Sequence, residues 1–373
     1  MASFLKKFKN LFGQTQKSVI GIDIGSSAIK IVQLSQKGNK AMLDTYGALA
    51  LGPYAGLEIG RATNLPVEKV VEALNDVIKE AGITNRRCGI AIPFSASLLT
   101  VVPMPAVPDA QLAGMIPIEA RKYIPVPISE VTLDWSVIPD SSYALEEPVS
   151  ANAQKPVGGM RDVLIVAIHN ESIAKYQDIV KKGLLNASFF EIEIFSTMRS
   201  SLDQETTPVM IFDMGAALTK LYIVEKGVIR SSHTINRGSQ DVTLAISKAL
   251  AVPMDKAEVL KRDPNLGGNS DNREVMEAVS LILDYVFSEA SRVLYAYQKK
   301  YSKNISKIVL VGGGVGLSGF KDRAHKAFQS EIVSGDPFSK VEAPAFLDGV
   351  LKTVGPEFAV AVGVALRRLQ EFE

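Results

Sequence analysis

Two segments of the sequence each carry an aspartate and a lysine seven residues apart, with a glycine between them. IGIDIGSSAIKIV contains Asp23 and Lys30, and MIFDMGAALTKLY contains Asp213 and Lys220. In both, apolar and β-branched residues flank a turn of small residues, which predicts a β-hairpin. Such a hairpin can bind phosphate, because a glycine has no Cβ to keep backbone N–H groups away from phosphate oxygens.

The charged side chains of these hairpins suit a magnesium nucleotide. A carboxylate at a strand end can hold the water molecules of a Mg²⁺ ion that bridges phosphates, and a lysine on the returning strand can supply a positive charge. A single Asp-x-Gly turn is more often a plain hairpin whose aspartate satisfies its own turn. Two copies predict a duplicated fold whose halves face one nucleotide. The second copy is poorer, since Ala217 replaces a possible glycine and Lys220 is expected on the strand surface.

A third glycine-rich turn follows an apolar strand predicted at 307–311. Its glycines are Gly312, Gly313 and Gly314, and a helix is predicted to start near Ser318. Three glycines after a strand expose bare backbone, against which a flat adenine or a ribose can lie. This turn is the predicted adenosine site.

The same segment also permits a different interpretation. Gly314, Gly316 and Gly319 spell the G-x-G-x-x-G fingerprint of dinucleotide-binding proteins, and Asp336 follows about 20 residues on. That unit usually comes first in its fold, however, and here it comes near the end. It also leaves the paired hairpins unexplained. A Walker-type phosphate loop is excluded, because no Gly-Lys-Ser/Thr follows the glycines.

Strands and helices alternate along the chain, which predicts an α/β fold. Hydrophobic periodicity and turn residues indicate the boundaries. The predicted strands are a hairpin over 18–34, then 41–50, 88–92, 97–102, 163–168, 187–194, 208–214, 218–224 and 307–311. The predicted helices are 66–81, 109–122, 172–182, 195–202, 240–262, 274–300, 318–329 and 357–371. The polar stretch 139–160 is predicted to be a surface loop.

Composition narrows the class of protein. The 373 residues carry 41 Lys+Arg and 40 Asp+Glu, a net charge of +1, so no general attraction for nucleic acid is expected. The single cysteine, Cys88, excludes a disulfide framework and indicates a reducing compartment. The three histidines show no metal-binding spacing.

Two segments bear on membrane contact. The uncharged stretch 88–108 is long enough to span a bilayer, but it contains four prolines and alternates as strands do, so buried strands are predicted. Within residues 1–17, the spacing predicts a short helix with Phe4 and Phe8 on one face and lysines opposite. Such an arm can lie on an anionic membrane or dock on a partner, and it can equally be a frayed terminus.

The order of the motifs resembles that of the actin/Hsp70/sugar-kinase superfamily, whose phosphate-1, phosphate-2 and adenosine motifs come in this sequence. Within it, the chain is similar to the PilM family of type IV pilus assembly proteins, which is related to FtsA. The segments that carry this resemblance are 21–34, 119–135, 162–185, 211–227, 311–320 and 358–368.

The resemblance implies roles for particular residues. Asp23, Gly25, Ser26, Ser27 and Lys30 match phosphate-1, Asp213 and Gly215 match phosphate-2, and Gly312, Gly313 and Gly314 match the adenosine motif. It implies ATP as cofactor, with Mg²⁺ held through water by Asp23 and Asp213. Glu193 is predicted to end a strand and to position water or metal, the alternative being a solvent-facing strand end. Glu258 and Lys261 match a Glu-x-x-Lys pair that contacts ribose and adenine, the alternative being a surface ion pair.

The resemblance also implies an actin-like, two-lobed fold, a ribonuclease H-like duplication with an inserted SHS2-like subdomain. Residues 1–17 are the arm. Subdomain 1A comprises 18–85, 186–202 and 350–373, and the inserted subdomain 1C comprises 86–185. Subdomain 2A comprises 203–235 and 305–349, and 2B comprises 236–304.

The implied function is a cytoplasmic, nucleotide-dependent scaffold at the inner membrane. It would bind the cytoplasmic N-terminus of a PilN-like membrane protein in a groove beside 1C, within the pilus inner-membrane assembly complex, and it could form homo-oligomers. Phe94 and the Val-Pro-Ile-Ser strip at 126–129 are candidate walls of that groove, or core residues. ATP turnover is expected to be slow. The alternatives are a small-molecule kinase, which needs a carboxylate base, and an FtsA-like filament former. An Hsp70-like chaperone is not favoured, because too few residues follow the adenosine motif to form a substrate domain.

Overall fold

The computed structural model describes residues 18–138, 159–263 and 273–370. The predicted N-terminal arm at 1–17 and most of the predicted loop at 139–160 lie outside these ranges. Within them the chain forms thirteen strands and ten α-helices.

The strands fall into three sheets. They are β1 (Ser18–Ile24), β2 (Ala28–Lys37), β3 (Lys40–Ala50), β4 (Arg87–Ile92), β5 (Ser97–Pro105), β6 (Val131–Val137), β7 (Met160–His169), β8 (Asn186–Ile192), β9 (Val209–Met214), β10 (Thr219–Glu225), β11 (Val228–Ile235), β12 (Lys307–Val311) and β13 (Glu331–Ser334).

The helices cover the sheets. They are α1 (Val67–Glu80), α2 (Asp109–Ala120), α3 (Asn170–Lys182), α4 (Glu193–Ser201), α5 (Ser239–Leu250), α6 (Met254–Lys261), α7 (Arg273–Tyr301), α8 (Phe320–Ala327), α9 (Asp348–Val354) and α10 (Ala359–Gln370).

The two large sheets have the same topology. The first has the order β3-β2-β1-β4-β8 and the second β11-β10-β9-β12-β13, each with three antiparallel strands followed by two parallel ones. Asp23 lies directly opposite Lys30 in the first hairpin, and Asp213 lies directly opposite Lys220 in the second. The duplication predicted from the two sequence segments is therefore present in the fold.

The central strand of each large sheet is buried on both faces, as expected for strands covered by helices. All six residues of β9 are buried, and so are the inner residues of β1. Helix α10 packs closely on β1 and α4. A Cβ at Gly21 would lie 2.0 Å from the Ala361 oxygen, and one at Gly363 would lie 1.9 Å from the Ser196 oxygen. Glycine is required at both contacts.

One stretch of the described residues, Ala345–Gln370, is long and apolar enough to span a membrane by length and composition. Its most apolar window is 61% buried inside the protein, which is typical of a core helix. This stretch includes α10, whose packing on β1 accounts for its apolar character. The 88–108 stretch forms β4 and β5, as predicted.

The third sheet, with the order β5-β7-β6, carries α2 on one face. Its β-α-β-β order matches the order expected for the inserted unit. The boundaries of that unit differ from the predicted 86–185, because β4 pairs with β1 and β8 in the first large sheet, and α3 packs in the core of the first lobe. The inserted sheet itself occupies 97–169.

Several elements differ from the predictions. Strands β6, β11 and β13 and helix α9 were not predicted. The single helix predicted at 240–262 is two helices, since Ala251 adopts a left-handed conformation (φ 51°) and Pro253 precedes α6.

Candidate functional site

A cleft of about 660 Å³ lies between the two large sheets. The carboxyl ends of β1 and β9 point into it, because the cleft is lined by the residues that follow both strands. Most of the predicted site residues line it: Asp23, Gly25, Ser26, Ser27, Lys30, Glu193, Asp213, Gly215, Glu258, Gly312 and Gly313. Gly314 and Lys261 do not.

The two hairpin turns have the same geometry. The Gly25 N–H donates to the Ala28 carbonyl at 3.0 Å, and the Gly215 N–H donates to the Leu218 carbonyl at 3.0 Å. A Cβ at either glycine would lie 3.0 Å from the carbonyl oxygen that accepts its hydrogen bond, so a larger residue would crowd either turn. The cleft is thus bounded by two equivalent glycine turns, one from each lobe.

Lys220 is a buried member of the site. Its side chain is 13% exposed, and its Nζ lies 2.8 Å from Asp213 Oδ2 and 2.8 Å from Glu193 Oε2. Burial alone would lower the pKa of Lys220, but the two carboxylates raise it well above the ordinary value of a lysine. The expectation of a surface position for Lys220 was wrong, because its strand faces the other lobe.

The prediction that Glu193 ends the strand is wrong. Ile192 ends the strand, and Glu193 is the first residue of α4. Glu193 is 7% exposed, which contradicts the solvent-facing alternative. Its Oε1 accepts a hydrogen bond from the Phe94 N–H at 2.6 Å while its Oε2 contacts Lys220. Both carboxylate oxygens therefore have protein partners.

Asp23 is the less restrained carboxylate. Lys30 Nζ lies 3.9 Å from Asp23 Oδ2, and within the described ranges no hydrogen bond reaches the Asp23 carboxylate. Burial raises the pKa of Asp23 to about 6, despite the opposing effect of Lys30. A buried carboxylate without hydrogen bonds suits a cation or its water molecules. Asp23 fits the predicted Mg²⁺ better than Asp213, whose Oδ2 is ion-paired.

Glu258 and Lys261 form a buried pair on α6. Glu258 Oε2 lies 2.6 Å from Lys261 Nζ and accepts a hydrogen bond from Thr243 Oγ1 at 2.7 Å. Lys261 is 3% exposed and also donates to Thr243, so it positions Glu258 from behind. The surface ion-pair alternative is contradicted by this burial. Arg262, which follows Lys261, lines the cleft, whereas Lys261 does not.

The glycine turn after β12 lies directly on the second hairpin. Gly312 has φ 88°, and a Cβ there would lie 2.5 Å from both Asp213 Oδ1 and the Met214 oxygen. A Cβ at Gly314 would lie 2.5 Å from Met214 Cγ. Gly312 and Gly314 therefore allow the turn to pack against the second hairpin. Gly313 presents its backbone to the cleft.

Sequence reasoning missed the loop between β3 and α1. Its backbone holds the first turn, because the Leu51 and Thr63 N–H groups donate to the Ser27 and Ser26 carbonyls, each at 2.8 Å. The loop also reaches the other lobe, where Ala62 N–H donates to Gln240 at 3.1 Å. The turn-rich composition of the loop gave no signal of these contacts.

A second cavity of about 360 Å³ lies between the inserted sheet, the first lobe and the β10–β11 turn. Its lining includes Trp135, Phe190, Phe195, Val228 and Arg367. The predicted groove walls are elsewhere.

Three of the residues predicted to form the groove walls are half-buried and pack against the core. Phe94 packs edge-to-face on Tyr222 at 5.3 Å, and Val126 and Ile128 pack against the core under α2. Pro127 and Ser129 are exposed.

Comparison with known proteins finds cell division proteins among the relatives of this chain. The cell division protein FtsA of Neisseria meningitidis is 24% identical over 94% of this chain and 90% of that protein. FtsA of Pseudomonas aeruginosa is 22% identical over 96% of this chain and 91% of that protein.

Solved structures share the fold. The PilM-PilN type IV pilus biogenesis complex matches with a TM-score of 0.77 at 23% identity, covering 94% of this chain and 98% of that one. The ethanolamine utilization protein EutJ from Carboxydothermus hydrogenoformans matches with a TM-score of 0.52 at 15% identity, covering 94% and 89%. MreB5 of Spiroplasma citri matches with a TM-score of 0.50 at 10% identity, covering 96% and 97%. These matches confirm the predicted actin-like α/β fold.

The family model of the type IV pilus assembly protein PilM matches residues 21–369. This range includes both hairpins, the glycine turn and the inserted sheet. The chain belongs to the PilM family of type IV pilus assembly proteins.

Proposed function

We propose that this protein binds ATP between its two lobes and uses that state as a scaffold for a PilN-like partner in type IV pilus assembly. The observation that carries the proposal is the shared cleft, which brings the Asp23 hairpin, the Asp213 hairpin and the Gly312 turn to one place. The turns offer backbone N–H groups to phosphates, and Gly313 offers a flat surface to the nucleoside. The MreB5 structure of the same fold holds ADP, which supports a nucleotide ligand here.

Mg²⁺, when bound with the nucleotide, would neutralise phosphate charge, and Asp23 is the residue suited to hold its water shell. Turnover is proposed to be slow or negligible. Glu193 is the predicted water-positioning residue, but Lys220 and the Phe94 N–H occupy both of its oxygens. A carboxylate that is ion-paired in this way is a poor general base.

We propose that the second cavity receives the partner peptide. Strand β6 is the edge of the inserted sheet as described, and its residues Asp134 to Val137 line this cavity. An exposed strand edge can add an extended peptide through main-chain hydrogen bonds, with side-chain pockets for specificity. The PilM-PilN complex of the same fold shows that a PilM relative assembles with PilN.

A membrane-anchored partner would hold this protein at the cytoplasmic face of the inner membrane. The N-terminal arm at 1–17 is a second candidate contact with membrane or partner. Removing residues 1–17 should then weaken the association of the protein with membrane fractions without changing ATP affinity. Loss of ATP binding in that variant would make the arm part of the nucleotide-binding fold.

The proposal is tested by titrating purified protein with ATP and with a synthetic peptide of the PilN N-terminus by calorimetry. Binding of both ligands at once, with the peptide cross-linked to the second cavity, is expected. Peptide cross-links confined to the inter-lobe cleft, or an absence of ATP binding, would contradict it.

A further inference from the structure

Three parallel strands of the first large sheet, β1, β4 and β8, begin at the same edge of that sheet, which we call the amino edge. They begin at Ser18, Arg87 and Asn186, whereas the cleft lies at the opposite, carboxyl ends of the strands. The Asn186 N–H donates to the Arg86 carbonyl at 2.8 Å, and the Asn85 side chain donates to the Ser18 carbonyl. The amino edge is therefore one continuous surface at the end of the first lobe that is remote from the cleft.

The amino edge is basic. Arg86 and Arg87 are both exposed, and within the described ranges no ion pair or side-chain hydrogen bond reaches either guanidinium. Lys181, at the end of α3, is a third exposed cation that has no acidic partner among those residues, whereas the neighbouring Lys182 is ion-paired. Exposed cations of this kind add little to the stability of the fold, and their charge is available to an anionic ligand.

An exposed leucine lies beside these cations. Leu184 is 81% exposed, and its N–H donates to the Lys181 carbonyl at 3.3 Å. Its backbone is left-handed (φ 50°), a conformation that favours glycine or asparagine over leucine. Neither core packing nor backbone conformation therefore accounts for a leucine at this position. Exposed cations beside an exposed apolar side chain combine the two forces that hold a protein at a membrane, attraction to anionic lipid and burial of apolar surface.

The chain that leads into the amino edge carries charge of the same sign. Residues 1–17 contain four lysines and no acidic residue, whereas the whole chain has a net charge of only +1. The rest of the chain therefore carries a net negative charge. The basic segment joins the fold at Ser18, whose carbonyl accepts the hydrogen bond from Asn85, the neighbour of Arg86. Positive charge is thus concentrated at one end of a protein that is otherwise slightly acidic.

We propose that the amino edge of the first lobe binds directly to an anionic lipid bilayer through Arg86, Arg87, Lys181 and Leu184. The three cations contact lipid phosphates, and Leu184 enters between the headgroups. Contact through this edge leaves the cleft, at the other end of the strands, open to nucleotide. The inference goes beyond the proposed function, since it requires neither ATP nor a partner peptide.

The test is co-sedimentation of the full chain with vesicles of phosphatidylethanolamine and phosphatidylglycerol, compared with vesicles of phosphatidylcholine alone. Wild type should bind the anionic vesicles at least about tenfold more tightly than the neutral ones, and added salt should weaken this binding. Arg86→Gln combined with Arg87→Gln should weaken it about tenfold or more, since each cation near an anionic surface contributes about fivefold. Lys248→Gln combined with Lys256→Gln, two exposed lysines of the second lobe, is the matched control and should bind as wild type does.

Leu184→Asn separates lipid contact from folding. Asparagine suits the left-handed backbone, so this variant should unfold at the wild-type temperature or above it. Its affinity for anionic vesicles should nevertheless be at least about threefold lower, because the apolar side chain is lost. Leu281→Gln removes a leucine of α7 that is 76% exposed and should leave vesicle binding unchanged.

Three results would overturn the inference: no binding of wild type to either vesicle, equal binding to both, or full binding by the double arginine variant or by Leu184→Asn. Full binding by these variants would assign any lipid contact to residues 1–17 alone. None of these results bears on the proposed function, because ATP and the peptide are titrated without lipid, so the two failures are distinguishable.

Discussion

Lys220 Nζ lies 2.8 Å from Asp213 Oδ2, whereas Lys30 Nζ lies 3.9 Å from Asp23 Oδ2 at the equivalent position of the other lobe. In each pair, the aspartate and the lysine lie directly opposite each other in an antiparallel hairpin. The two lysines also differ in their partners, since Lys220 contacts Glu193 as well as Asp213. A duplicated fold thus presents one open and one closed carboxylate to the same cleft.

Replacing Asp23 with alanine should abolish most of the stabilisation that Mg-ATP gives. At about 100 times Kd, ATP stabilises a one-site protein by about 2.7 kcal/mol, and thermal denaturation with and without ATP measures this difference. Asp284→Ala, an exposed change on α7, is the control and should keep the full stabilisation. An ATP-dependent shift in Asp23→Ala equal to that of wild type would discard the phosphate-1 assignment.

Asp23 should also make the nucleotide-free protein less stable as pH rises. Its pKa is raised from 3.8 to about 6, so the folded state binds the proton more tightly than the unfolded state. Stability is therefore lost as pH rises from about 4 to about 6. Asp23→Asn should be more stable than wild type at pH 7 by up to about 3 kcal/mol, and the gap should close near pH 4. Urea denaturation across this range measures the gap. A gap independent of pH would contradict the raised pKa of the buried Asp23 carboxylate.

Gly312→Ala should destabilise the protein and weaken ATP binding together. The new Cβ would meet Asp213 and Met214 at 2.5 Å in a left-handed backbone conformation, which together cost at least about 2 kcal/mol. Gly316→Ala in the same turn is the matched control, because a Cβ there meets nothing within 4 Å. Denaturant midpoints of both variants test this. Equal effects would show that the turn does not pack on the second hairpin.

Trp135→Ala should weaken partner-peptide binding by about tenfold or more while ATP affinity is retained. Trp135 lines the second cavity, and no residue of β6 lines the inter-lobe cleft. Fluorescence anisotropy of a labelled PilN N-terminal peptide measures the effect, with ATP calorimetry as the control for folding. Unchanged peptide affinity would place the peptide elsewhere.

The sequence predicted the parts of the site that depend on local spacing. The hairpins at Asp23 and Asp213, the strand 307–311 and the glycine turn all form where hydrophobic alternation and glycine placed them. These features rest on neighbours in the chain, whose geometry the period-2 pattern and the turn residues determine.

The parts that failed depend on contacts across the fold. In the sequence, Lys220 has the pattern of a lysine on a half-exposed strand. Its ion pair with Glu193 depends on α4, which is distant in the chain. Likewise, the buried Lys261 donates a hydrogen bond to Thr243 on the neighbouring helix. No local pattern reports which side chain a distant element will bring near, so the burial of Lys220 was assigned wrongly, whereas the Glu258–Lys261 pair, which lies within one helix, was expected.

The most direct measurement of the central claim is a crystal structure with a non-hydrolysable ATP analogue. The triphosphate should lie between the turns at Gly25 and Gly215, with the adenosine against Gly313. An analogue bound outside the inter-lobe cleft, or hairpins that make no phosphate contact, would contradict the account.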